Sequence, residues 1–331
     1  MPILCMTVRY PWALVCLSIG APAADVAGPA ACQPCHPTQY VTQTRSHHAL
    51  ALRRIIDTPV PELLAAQPLR ERSGVDFRYE LTRQGLNVTT TLGPETATGL
   101  LIWAFGSGAQ ASTPVGRIGN TWFEHRVSYY AEVKAGRLTM GHPAAASTTA
   151  SAALGLAQQP EVVTQCFQCH ATGVQPGPNL RDMVPGVTCE RCHGEAKAHL
   201  RSANAIKPAP RTQAAITALC ASCHRLPGSL PDATPEITDP LSIRYAPVGL
   251  LASACYRGSS ALTCTNCHNP HGNATRNPAF YEAKCRSCHS TGTKPCKAGN
   301  TGGCLDCHMQ QRSPAPYLRF TDHRIRVYRS E

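Results

Sequence analysis

Seven times the chain places two cysteines three positions apart and follows the second at once with a histidine. The sites are Cys32, Cys35 and His36; Cys166, Cys169 and His170; Cys189, Cys192 and His193; Cys220, Cys223 and His224; Cys264, Cys267 and His268; Cys285, Cys288 and His289; and Cys304, Cys307 and His308. On a helical turn, residues at i, i+3 and i+4 share one face. Two thiols so placed can meet the two vinyl groups of one porphyrin, and the histidine then lies beneath the ring with a nitrogen aimed at the iron. Cys-x-x-Cys-His is the attachment signature of covalent haem c, and histidine is a common axial ligand. Zinc ribbons combine such pairs two by two, whereas seven is odd, and they do not require a histidine after every pair. The expected cofactor is therefore seven covalent haems c, bound through those fourteen cysteines with the seven histidines on the iron.

The second axial ligand must come from elsewhere. Of the 14 histidines, seven remain: His47, His48, His125, His142, His199, His271 and His323. His47 and His48 are neighbours and point apart on a helix, so only one is expected to ligate, and His48 is favoured. His125 lies in a strand-like run, where a packed histidine is the simpler reading. His271 follows Pro270, which fixes the chain direction away from its own haem toward a neighbouring one. His48, His142, His199, His271 and His323 are the expected distal ligands. Met140 and Met183 are the competing donors, while Met309 is poorly placed for the iron of its own motif.

The first motif stands alone, and the other six crowd between Cys166 and His308. Such density leaves little room for an ordinary core, in keeping with 6% aromatics and 28 prolines. The expected fold is a mostly α and irregular multihaem cytochrome fold with haems as the core and a small antiparallel β-rich insert. The expected divisions are a leader at 1–23, a single-haem segment at 24–60, a haem-free insert at 61–160 and a six-haem domain at 161–331. Alternation in 75–81, threonines in 86–92 and strand signals at 100–105, 115–118 and 122–130, with glycine turns between them, predict the β-rich part at about 75–140. Helices are expected from Pro37 to about Ile56 and over 144–159, with a proline-rich wrap at 227–247.

At the N-terminus, Arg9, the apolar run Trp12–Ile19 and Ala21-Pro22-Ala23 read as a secretory leader cut before Ala24. The run is far short of the ~20 residues that span a bilayer. The chain is thus expected to be exported, to the periplasm or the outer cell surface. Cys255 and Cys296 belong to no haem motif and are expected to form a disulfide in that oxidising setting. The formal charge of +11 would suggest an anionic partner. Two propionates on each of seven haems outweigh it, and nucleic acid is rejected as a partner.

Gly186-Val-Thr-Cys-Glu-Arg-Cys-His-Gly194 with His199, Leu262-Thr-Cys-Thr-Asn-Cys-His-Asn-Pro-His271, and Cys304-Leu-Asp-Cys-His-Met309 resemble bacterial multihaem cytochromes related to the tetrahaem cytochrome of the hydroxylamine-oxidation pathway. Cys32–His36 followed by Ser46-His-His-Ala49 is similar to the opening of that group. The resemblance covers about 32–50 and 161–325. It implies mixed parallel and perpendicular haem stacking and, in the tetrahaem relatives, one haem without a distal ligand. Seven motifs and the β-rich insert depart from it. The function expected is electron transfer, with redox proteins or a membrane-associated electron-transfer complex as partners and oligomerisation open. The alternatives are an oxidoreductase acting on a small nitrogen or sulfur compound at one open haem, and a subunit of a conductive cytochrome assembly. The intact mass of the exported protein should equal a chain beginning near Ala24 plus seven haems; five or fewer haems on fully matured protein would contradict the motif count.

Overall fold

The computed structural model describes residues 26–328 apart from 67, 70, 176–179, 181, 203–209, 226–244 and 290–302. The leader, Cys5, Cys16, Cys296 and nearly all of the proline-rich wrap therefore lie outside the described residues.

Nine strands make one antiparallel sheet: β1 (Leu52–Arg54), β2 (Asp76–Leu81), β3 (Leu86–Leu92), β4 (Glu95–Phe105), β5 (Ala111–Ile118), β6 (Thr121–His125), β7 (Val127–Tyr130), β8 (Ala135–Leu138) and β9 (Gly155–Gln158). The main path runs β2-β3-β4-β5-β6-β9, with β1 on β4 and with β7 joining β5 to β8. Gly93-Pro94 and Gly119-Asn120 close the β3–β4 and β5–β6 hairpins as two-residue turns. In each turn the glycine comes first, at φ +57° and +58°, which suits the right-handed strand twist.

Side chains alternate across the sheet with period two. One face builds a core from Phe77, Leu86, Val88, Leu101, Ala104, Phe123 and Val127, covered by Val60, Leu64, Ala153 and Leu154. The other face presents Leu52, Phe105, Val115 and Trp122 to Val163 and Phe167 of the helix Pro160–His170, which carries the second motif. Leu101 and Ala104 share the first face although they are three residues apart. The register shift between Leu101 and Trp103 supplies the extra residue that permits this. Trp122 packs on Phe167 with ring centres 6.0 Å apart. Glu124, two positions further along β6, is therefore turned toward the same motif.

This sheet overturns the expectation of a mostly α and irregular fold with a small insert. β1 comes from the segment expected to be helical after Pro37, where the helix spans only Pro37–Gln43. β9 comes from the helix expected over 144–159, where the helical part is only Ala150–Leu154. Gly155, at φ +144°, ends that helix. A Cβ there would run into the Glu124 carbonyl, so the close approach of β9 to β6 requires glycine. Both segments carry apolar residues at spacings that suit a helix, yet they gain more by completing the sheet edge and its interior.

A buried ion pair anchors the sheet to the loop before it. Arg126 and Glu71 pair with side chains 6% exposed each. Glu71 also accepts from Ser147 N at 2.9 Å, and Arg126 donates to the Ala145 carbonyl at 2.7 Å. Burial works to raise the Glu71 carboxyl, but the Arg126 and Ser147 hydrogen bonds outweigh it and hold the group below its ordinary value. Glu71→Ala strands a buried guanidinium and should cost about 3–5 kcal/mol. Hydrogen–deuterium exchange of the 76–158 amides should speed up in that variant, and unchanged protection would contradict the anchoring role.

Candidate functional site

Six motifs sit on short helical segments, and the starts of three are fixed locally. Pro160 occupies the first turn of the second-motif helix, where its missing N–H costs nothing. Thr212 caps the helix Gln213–His224, accepting from Ala215 N at 3.3 Å. Thr263 and Asn266 form a capping box on Cys264–Cys267. The third, sixth and seventh motifs lie on Cys189–His193, Pro278–His289 and Cys304–His308. The first follows the 3-10 turn Pro29–Cys32.

Four motif histidines face a second histidine. The ring centres of His36 and His199 are 6.4 Å apart with planes 25° apart. His224 and His48 are 6.0 Å apart at 69°, His193 and His271 6.0 Å apart at 8°, and His268 and His323 6.1 Å apart at 41°. An imidazole nitrogen binds a first-row metal at about 2 Å. With about 1.1 Å more from nitrogen to ring centre, two imidazoles on opposite sides of one iron place their centres about 6 Å apart. The observed gaps therefore fit a six-coordinate haem iron between the rings. Burial lowers the pKa of His48, His193, His268 and His323 and, joined by the fields of His48, His323, His170 and His268, brings His224 to about 4. These rings are neutral near pH 7, the form that ligates metal.

Backbone carbonyls set the tautomer of three rings. Nδ1–H of His170 donates to Ala51 O at 3.0 Å, that of His308 to Arg326 O at 3.1 Å, and that of His323 to Thr321 O at 2.9 Å. The Nε2 lone pair of each is thereby left for iron. His289 is exposed on its helix. His142 is placed differently from the four facing partners: its ring is almost wholly buried, and Nε2 lies 3.2 Å from Glu124 Oε2. His125 is a core residue between the Tyr79 hydroxyl at 2.9 Å and the Leu154 carbonyl at 2.6 Å. His47 is exposed, and its backbone N–H donates to Asn273 Oδ1 at 2.7 Å. Met183 packs in the core beside the second motif, Met140 follows β8, and Met309 caps the last motif helix.

The motifs also meet each other through their cysteines. Cys32 lies within hydrogen-bonding reach of Cys189, Cys169 of Cys223, and Cys220 of Cys264. The field of Cys192 reaches Cys220 and Cys223, and that of Cys285 reaches Cys267 and Cys304. The third motif thus adjoins the first, and the fourth adjoins the second, third and fifth. The fifth, sixth and seventh then follow in order. Arg53, Arg54 and Arg326 each bury an Nε with no hydrogen-bond partner among the described residues, and such donors suit propionate oxygens.

Sequence reasoning missed the residues that set these approaches. Glu190, inside the third motif, accepts from Ala27 N, Gly28 N and Ala196 N at 2.8–3.0 Å, tying the first motif to the third. Glu282 does the same for the last two motifs through Gly303 N at 2.8 Å. Gly186, at φ +83°, brings Val187 N to the His48 carbonyl at 2.9 Å, and a Cβ there would strike Ala49. A Cβ on Gly249 would come within 2.8 Å of the His323 carbonyl carbon. A glutamate between the two cysteines of a motif was a visible signal; the glycines gave none.

Residues 126–194 match the family described as cytochrome c554 and c-prime. No curated protein matches the chain. Among solved structures it is similar to the outer cell wall cytochrome OcwA, at 14% identity and TM-score 0.54, over 92% of this chain and 80% of that one. It also resembles an undecaheme cytochrome from the S-layer of Carboxydothermus ferrireducens, at 17% identity and TM-score 0.45, over 84% of this chain and 44% of that one. The chain thus shares its overall fold with OcwA. In holoprotein, His199→Ala and His271→Ala should each convert one low-spin haem to a high-spin signal in the ferric electron paramagnetic resonance spectrum. Spectra identical to the parent would show that these rings do not face iron.

Proposed function

We propose that the chain is a multihaem c-type cytochrome that carries electrons through seven covalent haems. The carrying observation is the set of four facing histidine pairs. Each combines the histidine of one motif with a histidine from outside all motifs, at the span a single iron requires. When bound, each haem supplies one reversible electron step. The protein's own part is to bring a second histidine opposite each of these motif histidines and to bring successive motifs into contact. His48, His199, His271 and His323 are the distal ligands in this reading, and the cysteine contacts give which motifs are neighbours.

Export to the periplasm or outer surface agrees with the leader-like N-terminus and with the outer cell wall setting of OcwA. Among the described residues, no helix is long and apolar enough to cross a membrane. A redox protein or a membrane-associated complex is the proposed partner. The likeness to the hydroxylamine-oxidation cytochrome is proposed for the haem-bearing region, without transfer of its partners.

One observation favours a second reading. The field of Glu124 reaches Cys166, and Glu124 holds the buried His142, so an acid–base pair stands beside the second motif. This arrangement suits an oxidoreductase acting on a small nitrogen or sulfur compound at an open haem there. Scarce methionine and paired histidines predict low potentials for the wire. Potentiometric titration should show several haems reducing well below the hydrogen-electrode zero. A set lying wholly at high positive potential would contradict bis-histidine ligation, and reoxidation by nitrite that is lost in His142→Ala would favour the second reading.

A further inference from the structure

Arg191 stands between the two cysteines of the third motif, at a position where the attachment pattern asks for no charge. Its Nε donates to the Gln168 carbonyl, inside the second motif, at 3.3 Å. Its Nη2 donates to Cys223 Sγ, in the fourth motif, at 3.3 Å. Its field acts on Cys169, Cys192 and Cys223. The side chain is half-buried, so salt and water screen it less than a surface charge. One guanidinium therefore touches two motifs while belonging to a third. The place is also where the contacts branch, since the fourth motif adjoins the second through Cys169 and Cys223, the third through Arg191 and Cys223, and the fifth through Cys220 and Cys264.

We propose that Arg191 is the positioning residue of a three-way haem junction, clamping the second, third and fourth motifs and raising the reduction potentials of the haems on all three. The inference rests on the reading of the motifs as haem sites. A fixed positive charge beside a haem disfavours the more positive ferric state and so favours the electron-bearing one. The sulfur it approaches would be a thioether after attachment, a weak acceptor that can still receive an N–H. A planar fork reaches a carbonyl and a sulfur at once; a lysine ammonium supplies the charge without that geometry. The charge thus makes the branch point a favoured resting place for electrons arriving from any of its arms.

The test uses mature holoprotein of the parent, Arg191→Gln and Arg191→Lys, with haems counted first by intact mass. In Arg191→Gln three of the seven potentials should fall while the other four hold. In Arg191→Lys the potentials should stay near the parent's, while the bisignate Soret circular dichroism that reports coupling between neighbouring haems weakens. Seven haems with an unchanged potentiometric titration in Arg191→Gln would overturn the proposal. If Arg191→Gln does not mature, Arg191→Lys carries the test: potentials that fall, or Soret coupling that is unchanged, would overturn it. Fewer than seven haems on the parent would instead sink the haem reading itself, so the two failures are distinguishable.

Discussion

Imidazole rings whose centres lie about 6 Å apart, the separation of two rings that would share one iron, are the constraint on which the motif-bearing part of the chain depends in this reading. The four facing pairs join His36 to His199, His224 to His48, His193 to His271, and His268 to His323. None joins near neighbours in sequence except through the fold. An iron at each centre would act as a cross-link that closes a long loop, the geometry in which a clip removes most unfolded-state entropy. Ordering costs roughly 1–2 kcal/mol per residue for the backbone. The short helical segments that bear the motifs bury few side chains of their own. Haem burial and iron ligation are the terms available to offset that cost.

The sheet follows a different logic. Its core of Leu, Val and Phe packs as in any antiparallel sheet, and its outer supports are the Glu71–Arg126 pair and the His125–Tyr79 contact. Its second face meets the haem-bearing region through Trp103, Phe105 and Trp122, all gathered on Phe167 of the second-motif helix. The two ways of making a core thus adjoin at one motif. Close by, the Ala51 carbonyl next to β1 orients His170, and Glu124 from β6 faces Cys166. The sheet thereby shapes the surroundings of the second motif in particular.

The reading of the chemistry rests on a local pattern, Cys-x-x-Cys-His, in which five residues on one turn would carry all the attachment atoms. The strands β2 and β3 were legible for the same reason, since alternation of apolar and polar residues is written within six or seven positions. What was not legible is whatever depends on a distant partner. β1 and β9 read as helical because their own apolar spacing allows it, and only the free edges of β4 and β6 decide otherwise. The choice among spare histidines likewise turns on neighbours. His199 and His142 look alike as isolated residues, yet one faces His36 and the other sits against Glu124. Gly186 and Gly249 carry no signal at all in one sequence, because each is required by a backbone that passes close to it from another segment.

Location of the iron atoms tests the central claim most directly. Anomalous scattering at the iron absorption edge from crystals of the exported protein should show seven sites. Four should lie midway between the rings of His36 and His199, His48 and His224, His193 and His271, and His268 and His323. The iron of the fourth motif should have those of the second, third and fifth as its nearest neighbours. Iron absent from the centres of these pairs, or metal held by the cysteine sulfurs themselves, would contradict the account.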